Sequence, residues 1–213
     1  MTHRIVLAAA LALASAPLSA TTYTFEPNYT QGVFRWDHLG FANPTAQFSQ
    51  GEGTLEYDPA DPTRASVKVT LSLANVHTGV PALDDHLRSE DFFETAKFPN
   101  ATFTSTRVEK GDAPNRLKVA GQLSLHGVTQ PVVLDVTLNK IGANPRSDLP
   151  SIGFDATTTL KRSSFHLGKY VPQVGDEINV QITVQAAEAK AYVTYLKARE
   201  EEEAAAAKDA AKK

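Results

Sequence analysis

The residues with most chemical potential are the histidines beyond the N-terminus: His38, His77, His86, His126 and His166. They are spread along the chain with no HExxH motif and no H-x-H pair, so no metal-ligand spacing is present. Asp84-Asp85-His86 is the one tight acid–histidine cluster. On a helix, neighbouring side chains point about 100° apart, so these three diverge and read as polar and capping residues. Nucleophilic chemistry has no better footing: there is no cysteine and no G-x-S-x-G elbow, and Ser124 and Ser163 lack an adjacent acid–base pair. No glycine-rich phosphate loop opens a helix. The expectation is a protein that is not an enzyme and needs neither metal nor cofactor.

What remains is a set of large apolar side chains with few charges among them: Phe34, Trp36, Phe41, Phe48, Phe92, Phe93, Phe98, Phe103, Phe154 and Phe165. Core packing explains any one of them. Together they also permit a hollow interior in which an apolar ligand completes the core. Phe92-Phe93 are the expected mouth-lining pair, because loops at barrel rims shape access.

The elements that must position these residues follow a period of two, the mark of half-buried strands. Ala65, Val67, Val69, Leu71 and Leu73 alternate with Ser66, Lys68, Thr70 and Ser72. Leu117, Val119, Gly121, Leu123 and Leu125 repeat the pattern, and Val132, Leu134, Val136 and Leu138 follow after a short break, as in a hairpin. Ile178, Val180, Ile182 and Val184 make a fourth clear run. Weaker runs cover 31–39, 46–57, 101–109 and 151–162, with Gly51 and Gly53 suggesting a sharp bend in the second. About eight strands result, with one helical interruption at Pro81 to Phe93. Eight antiparallel strands with one apolar face form either a sandwich or a closed barrel, and periodicity does not choose between them.

Composition bounds the rest. Of 213 residues, 42% are hydrophobic, enough for a sizeable core, and none is cysteine, so no disulfide supports the fold. A net charge of -3 gives no electrostatic reason to expect nucleic acid. Residues 1–20 read as a secretory signal peptide: Arg4, the apolar run Ile5 to Leu13, then small residues Ala16, Ser19 and Ala20, with the mature chain starting at Thr21. That run is shorter than the about 20 residues a bilayer span needs, and no later segment is apolar enough to span. After Ala186 the pattern changes: Ala189, Tyr192, Val193 and Leu196 mark one helical stripe, and Glu200 to Glu203 and a lysine-ended alanine tract complete a charged, helical or disordered tail over 187–213.

The chain also resembles a known family. Val33-Phe34-Arg35-Trp36-Asp37-His38-Leu39-Gly40-Phe41, the segment Asp85-His86-Leu87-Arg88-Ser89-Glu90-Asp91-Phe92-Phe93, the Lys97 to Phe103 stretch, the Gly121 to Val132 stretch and Val174-Gly175-Asp176-Glu177-Ile178 are similar to the YceI family of lipid-binding proteins. The resemblance covers about Tyr23 to Ala186 in the family's order. It implies an all-β fold, an eight-stranded antiparallel lipocalin-like barrel with a short helical insertion, and a periplasmic or secreted home. It further implies a polyisoprenoid, an isoprenoid quinone or another long-chain lipid as partner. Two positions depart from the family: Thr30-Gln31 stands where a His-Ser pair is common, and Arg162-Ser163-Ser164-Phe165-His166 where Arg-Ser-Asp-Phe-Gly is common.

The residues expected to line an apolar cavity are therefore Phe34, Trp36, Phe41, Leu71, Leu87, Phe92, Phe93, Phe98, Phe103, Leu123, Phe154 and Phe165. His38, Arg162 and His166 are the expected head-group contacts. A forty-carbon chain held this way gains roughly 12 kcal/mol at about 0.3 kcal/mol per heavy atom, near nanomolar affinity. The alternative is a non-catalytic interaction module with a filled barrel and a C-terminal helix that docks a partner. A homodimer is open under either reading.

Overall fold

Alternation along the chain resolves into a closed barrel. The computed structural model describes residues 20–211, so the signal-peptide reading of residues 1–19, like the terminal Lys212 and Lys213, lies outside them. The strands are β1 Thr21–Phe25, β2 Gln31–Arg35, β3 Thr45–Ser49, β4 Glu52–Tyr57, β5 Ser66–Ser72, β6 Val76–His77, β7 Asn100–Lys110, β8 Arg116–Leu125, β9 Val128–Ala143, β10 Pro150–Lys161 and β11 Glu177–Glu188. The order β1-β4-β5-β7-β8-β9-β10-β11 closes because β11 also pairs with β1, and every pairing is antiparallel. Closure leaves that ring without free edges. The sandwich is excluded.

Eleven strands make eight staves. β11 pairs with β2 through Asn179↔Arg35 to Thr183↔Gln31, then with β1 through Phe25↔Ala186 to Tyr23↔Glu188, so β1 and β2 form one stave interrupted by the turn Pro27–Tyr29. In the same way β2 pairs with β3 and β1 with β4, and the second stave breaks at Gln50 and Gly51. The third breaks between β5 and β6 at the turn Leu73–Asn75. Gly51 has a local reason. A Cβ there would lie 2.9 Å from both Leu71 Cδ2 and Thr30 Cγ2, closer than real side chains approach. The expected runs thus matched the staves, while β1 was not among them.

One end of the barrel carries the helix α1, Pro81–Arg88, with the connections 36–44, 89–99 and 162–176. Pro81 occupies the first helical turn, where its missing N–H costs nothing. Asp84 reaches back to accept from the Thr78 N–H and hydroxyl, both at 2.6 Å, and from His77 Nδ1 at 3.1 Å. Arg88 donates to the carbonyls of Ala74 and Val76 at 3.0 and 2.9 Å, tying the helix to β6. The opposite end leads into α2, Ala189–Ala210, whose first amides are capped by the Glu188 carboxylate. The stripe expected on this helix is only half used. Ala189, Tyr192 and Tyr195 are partly buried, but Val193 and Leu196 are exposed, and residues 196–211 stand in solvent.

Candidate functional site: an apolar cavity in the barrel

Inward rows of β5, β8, β10 and β11 do not meet in the middle. Val67, Val69, Leu71, Leu123, Phe154, Val180 and Ile182 point inward, yet stay only partly buried, because they face an opening instead of each other. That opening is a cavity of about 590 Å³. Its wall is mostly Val, Leu, Ile and Phe, with His38, His86, Tyr57 and Tyr170 among the polar-tipped side chains. The filled barrel is therefore incorrect: the side chains are too few and too short to close the bore.

Of the twelve side chains expected in the wall, ten are there: Phe34, Trp36, Leu71, Leu87, Phe92, Phe93, Phe103, Leu123, Phe154 and Phe165. Phe34 organises one end, stacking with Trp36 and Phe48 at 5.8 and 5.3 Å between centroids and meeting Phe93 edge-on at 6.2 Å. Phe103 is fixed from behind by Gly121: a Cβ there would lie 2.3 Å from its ring, so only glycine lets the ring sit flat on β8. At the far end Tyr57 meets Phe154 at 5.9 Å, above a second buried cluster around Tyr23, Phe25 and Ile152. Burial pushes the Tyr57 hydroxyl pKa up, with Tyr23 and Asp58 adding to the shift.

Two expected wall residues are elsewhere. Phe41 is 92% exposed at the tip of the 38–42 turn, because Leu39 and Gly40 take left-handed backbone angles that swing it outward. Phe98 packs outside the cavity, against the His126 ring at 4.7 Å and against Gly127. Spacing along a loop does not encode side-chain direction as it does on a strand, and both errors fall on loops.

The head-group expectations fare differently. His38 lines the cavity near its mouth and is exposed. His166 is exposed, caps a short turn in the left-handed region at φ 61°, and is not in the wall. Arg162 borders the cavity but commits four of its five N–H donors to its own loop. Its guanidinium donates to the carbonyls of Gly175 and Val174, both at 2.8 Å, to Lys169 at 2.8 Å, and to Leu167. It is a staple for the 162–176 loop. Burial lowers its pKa, and Asp176 opposes that shift. Asp176 is itself desolvated, yet its pKa is lowered by the Ser163 N–H and hydroxyl at 2.8 and 2.7 Å.

The mouth lies between two connections. Phe92 and Tyr170 approach across it at 6.4 Å, His86 packs on the Phe92 edge at 4.9 Å, and Lys169 pairs with Asp91. That hydrogen bond raises the Lys169 pKa. Tyr170 and Leu83 were missed as wall residues: neither lies in an alternating run, and Tyr170 sits at φ 65°, which no local motif announces. Asp84, Asp85 and His86 turn to Thr78, Arg88 and Phe92 respectively. Among the described residues no three of His, Asp and Glu converge as metal ligands, and no helix is long and apolar enough to cross a membrane.

Known proteins share this fold. The family model for the YceI-like domain matches residues 23–186. Protein YceI of Escherichia coli O157:H7 is 37% identical over 158 residues, 74% of this chain and 81% of that one. Among solved structures, the YCEI protein of Campylobacter jejuni is 29% identical with a TM-score of 0.64, covering 71% of this chain and 89% of its own. A polyisoprenoid binding domain from Saccharophagus degradans, implicated in plant cell wall breakdown, shares the fold at a TM-score of 0.62 and 16% identity, over 79% of this chain and 99% of its own. With a matching domain model across the whole barrel and a relative of this identity, the chain belongs to the YceI family.

Proposed function

We propose that this chain is a non-catalytic carrier or store for a long apolar lipid, a polyisoprenoid or similar amphiphile, held inside the barrel. The observation that carries the reading is the ring of inward apolar side chains left unburied around a cavity of about 590 Å³. An apolar wall stays dry and favours an apolar occupant, and nothing in it is poised for acid–base or nucleophilic work. The Saccharophagus degradans domain with the same fold is described as binding polyisoprenoid, which supports the ligand class.

The cavity also sets a scale. At about 30 Å³ per water-sized group, it holds roughly twenty carbons, or about four isoprene units. At about 0.3 kcal/mol per heavy atom, that enclosed part contributes roughly 6 kcal/mol, or tens of micromolar. A forty-carbon ligand must therefore run on through the mouth along Phe92 and Tyr170 to gain more. We further propose that residues 1–20 direct export and that the mature protein begins at Thr21.

Organic extraction of the purified protein followed by mass spectrometry tests the ligand. A polyprenyl or quinone-like lipid in stoichiometric amount is expected. Protein that yields no lipid and takes up no geranylgeraniol from ethanol refutes the reading. Intact mass of the exported form tests the cleavage point.

A further inference from the structure

Beside the cavity mouth the fold spends backbone strain to display a phenylalanine to water. The 38–42 turn closes through His38 N–H to Ala42 O at 2.8 Å, with Leu39 at φ 60° and Gly40 at φ 73°. A leucine in that region is uncommon and costs free energy. The turn is held in place as well: Gly40 N–H donates to Asp37 Oδ1 at 3.0 Å, Gly175 N–H to Asp37 O at 2.9 Å, and His38 bridges to Val174. Val174 belongs to the loop stapled by Arg162. The outcome is Phe41 at 92% and Leu39 at 49% exposure on a fixed fingertip.

That fingertip continues into the cavity. His38 and Pro44, at the base of the turn, are wall residues, and Trp36 lies one step further in. Across the mouth Tyr170 is both a wall residue and 49% exposed. Pro44 and Trp36 thus link the exposed fingertip to the bore, with the His38 imidazole beside them.

We infer that the mouth face docks on the surface of a lipid bilayer, with Phe41 and Leu39 inserted into it and Tyr170 at the level of the head groups. The inference rests on the lipid-carrier reading, and it names where that ligand is exchanged. A ligand with no useful solubility in water must pass between the cavity and a lipid phase, and the face that opens the cavity is the face that carries the exposed apolar residues. A stable protein interface needs about 1,200 Å² or more. A two-residue fingertip offers far less, whereas a bilayer takes up single side chains, and tyrosine favours its interface. Charges around the mouth are mixed, with exposed Asp37, Glu90 and Glu177 against Lys97, Lys161 and Lys169. Docking is therefore apolar and does not require anionic lipid.

Flotation of the full-length mature protein with vesicles of pure phosphatidylcholine, and of phosphatidylcholine with phosphatidylglycerol, tests this. Binding to both, unchanged by high salt, is expected. Phe41→Ser should weaken it at least about ten-fold, since burying one such ring is worth that factor or more. Val133→Ser, which removes a 52% exposed apolar side chain from the outer wall of β9, should not change it. Geranylgeraniol supplied from ethanol should load the wild type and Phe41→Ser alike, whereas uptake from vesicles should fail in the variant. Failure to load from ethanol in both overturns the carrier reading itself. Normal loading with no vesicle binding by the wild type, or with binding that Phe41→Ser leaves unchanged, overturns the docking inference alone. A wild-type dimer that Phe41→Ser dissociates, with vesicle binding intact, reassigns the surface to a second copy and also overturns it.

Discussion

Gly32→Leu should weaken lipid binding while making the empty protein more stable. Gly32 lies in the cavity wall on β2, between inward Thr30 and Phe34. A Cβ there would meet only Ile182 Cγ1 at 3.9 Å and Gln181 O at 4.0 Å, ordinary contact distances, and the backbone is not in the left-handed region. Leucine can therefore enter without moving a strand. Its four carbons occupy about 120 Å³ at about 30 Å³ per water-sized group. That is roughly a fifth of the 590 Å³ available. Filling void at about 24 cal/mol per Å³ contributes roughly 3 kcal/mol to the lipid-free fold, a Tm rise of about 6–12 °C for a domain of this size. The same four carbons displace about four from the ligand. At about 0.8 kcal/mol per methylene gross, and about 0.3 per atom net, the affinity for geranylgeraniol falls between roughly eight- and two-hundred-fold. Calorimetric melting of delipidated protein and a fluorescent-displacement titration read the two effects separately. If melting and binding fall together, Gly32 serves the backbone and the argument is wrong. If binding is unchanged while Tm rises, the ligand does not occupy this part of the bore.

Three further outcomes follow from the same geometry. Arg162→Met keeps bulk but orphans the carbonyls of Leu167, Lys169, Val174 and Gly175, so urea unfolding should show a loss of about 3 kcal/mol or more. The Asp84 carboxyl is held below the usual carboxylate range, first by the Thr78 hydroxyl and then, against burial, by the Thr78 N–H and His77. A depressed folded pKa stabilises above the unfolded value and is lost as pH falls through the folded one. Melting of the wild type should therefore decline at acid pH below the ordinary Asp range, and Asp84→Asn should flatten that limb. Deleting the chain from residue 197, where every described residue to 211 is exposed, should leave Tm and geranylgeraniol loading unchanged in the same assays.

How much of this was legible in the residues depends on whether they lie on strands. On β5, β8 and β11 the parity of Val69, Leu123 and Val180 fixes direction, because successive side chains alternate between faces. The pattern put all three on an apolar face, though only Leu123 was among the expected wall residues. Whether those rows would fill the bore was not legible, since that depends on barrel radius and on which staves oppose which. Loops were read poorly. Phe41 and Phe98 were grouped with the wall by type alone, and Tyr170 was passed over, because left-handed residues at Leu39 and Tyr170 redirect the chain without a glycine at those positions. Arg162 was found by its place in a motif, but its role was mistaken. A guanidinium surrounded by carbonyls of its own loop leaves the same trace in a sequence as one awaiting a head group.

That last point bears on selectivity. With four of the five Arg162 N–H donors held by loop carbonyls and His166 outside the wall, little charged hydrogen bonding is left to read a head group at the bore. His38, His86 and the Tyr170 hydroxyl remain, all near the mouth, and each can offer a single hydrogen bond. One exposed hydrogen bond is worth about 0.5–1.5 kcal/mol, less than two buried methylenes. Discrimination between lipids in this barrel must therefore come chiefly from the girth and length of the apolar chain, set by Gly32, Phe103 and the Tyr57–Phe154 floor. Two alcohols with one isoprenoid tail and different head groups should compete almost equally, whereas a bulky ring at the buried end should be rejected.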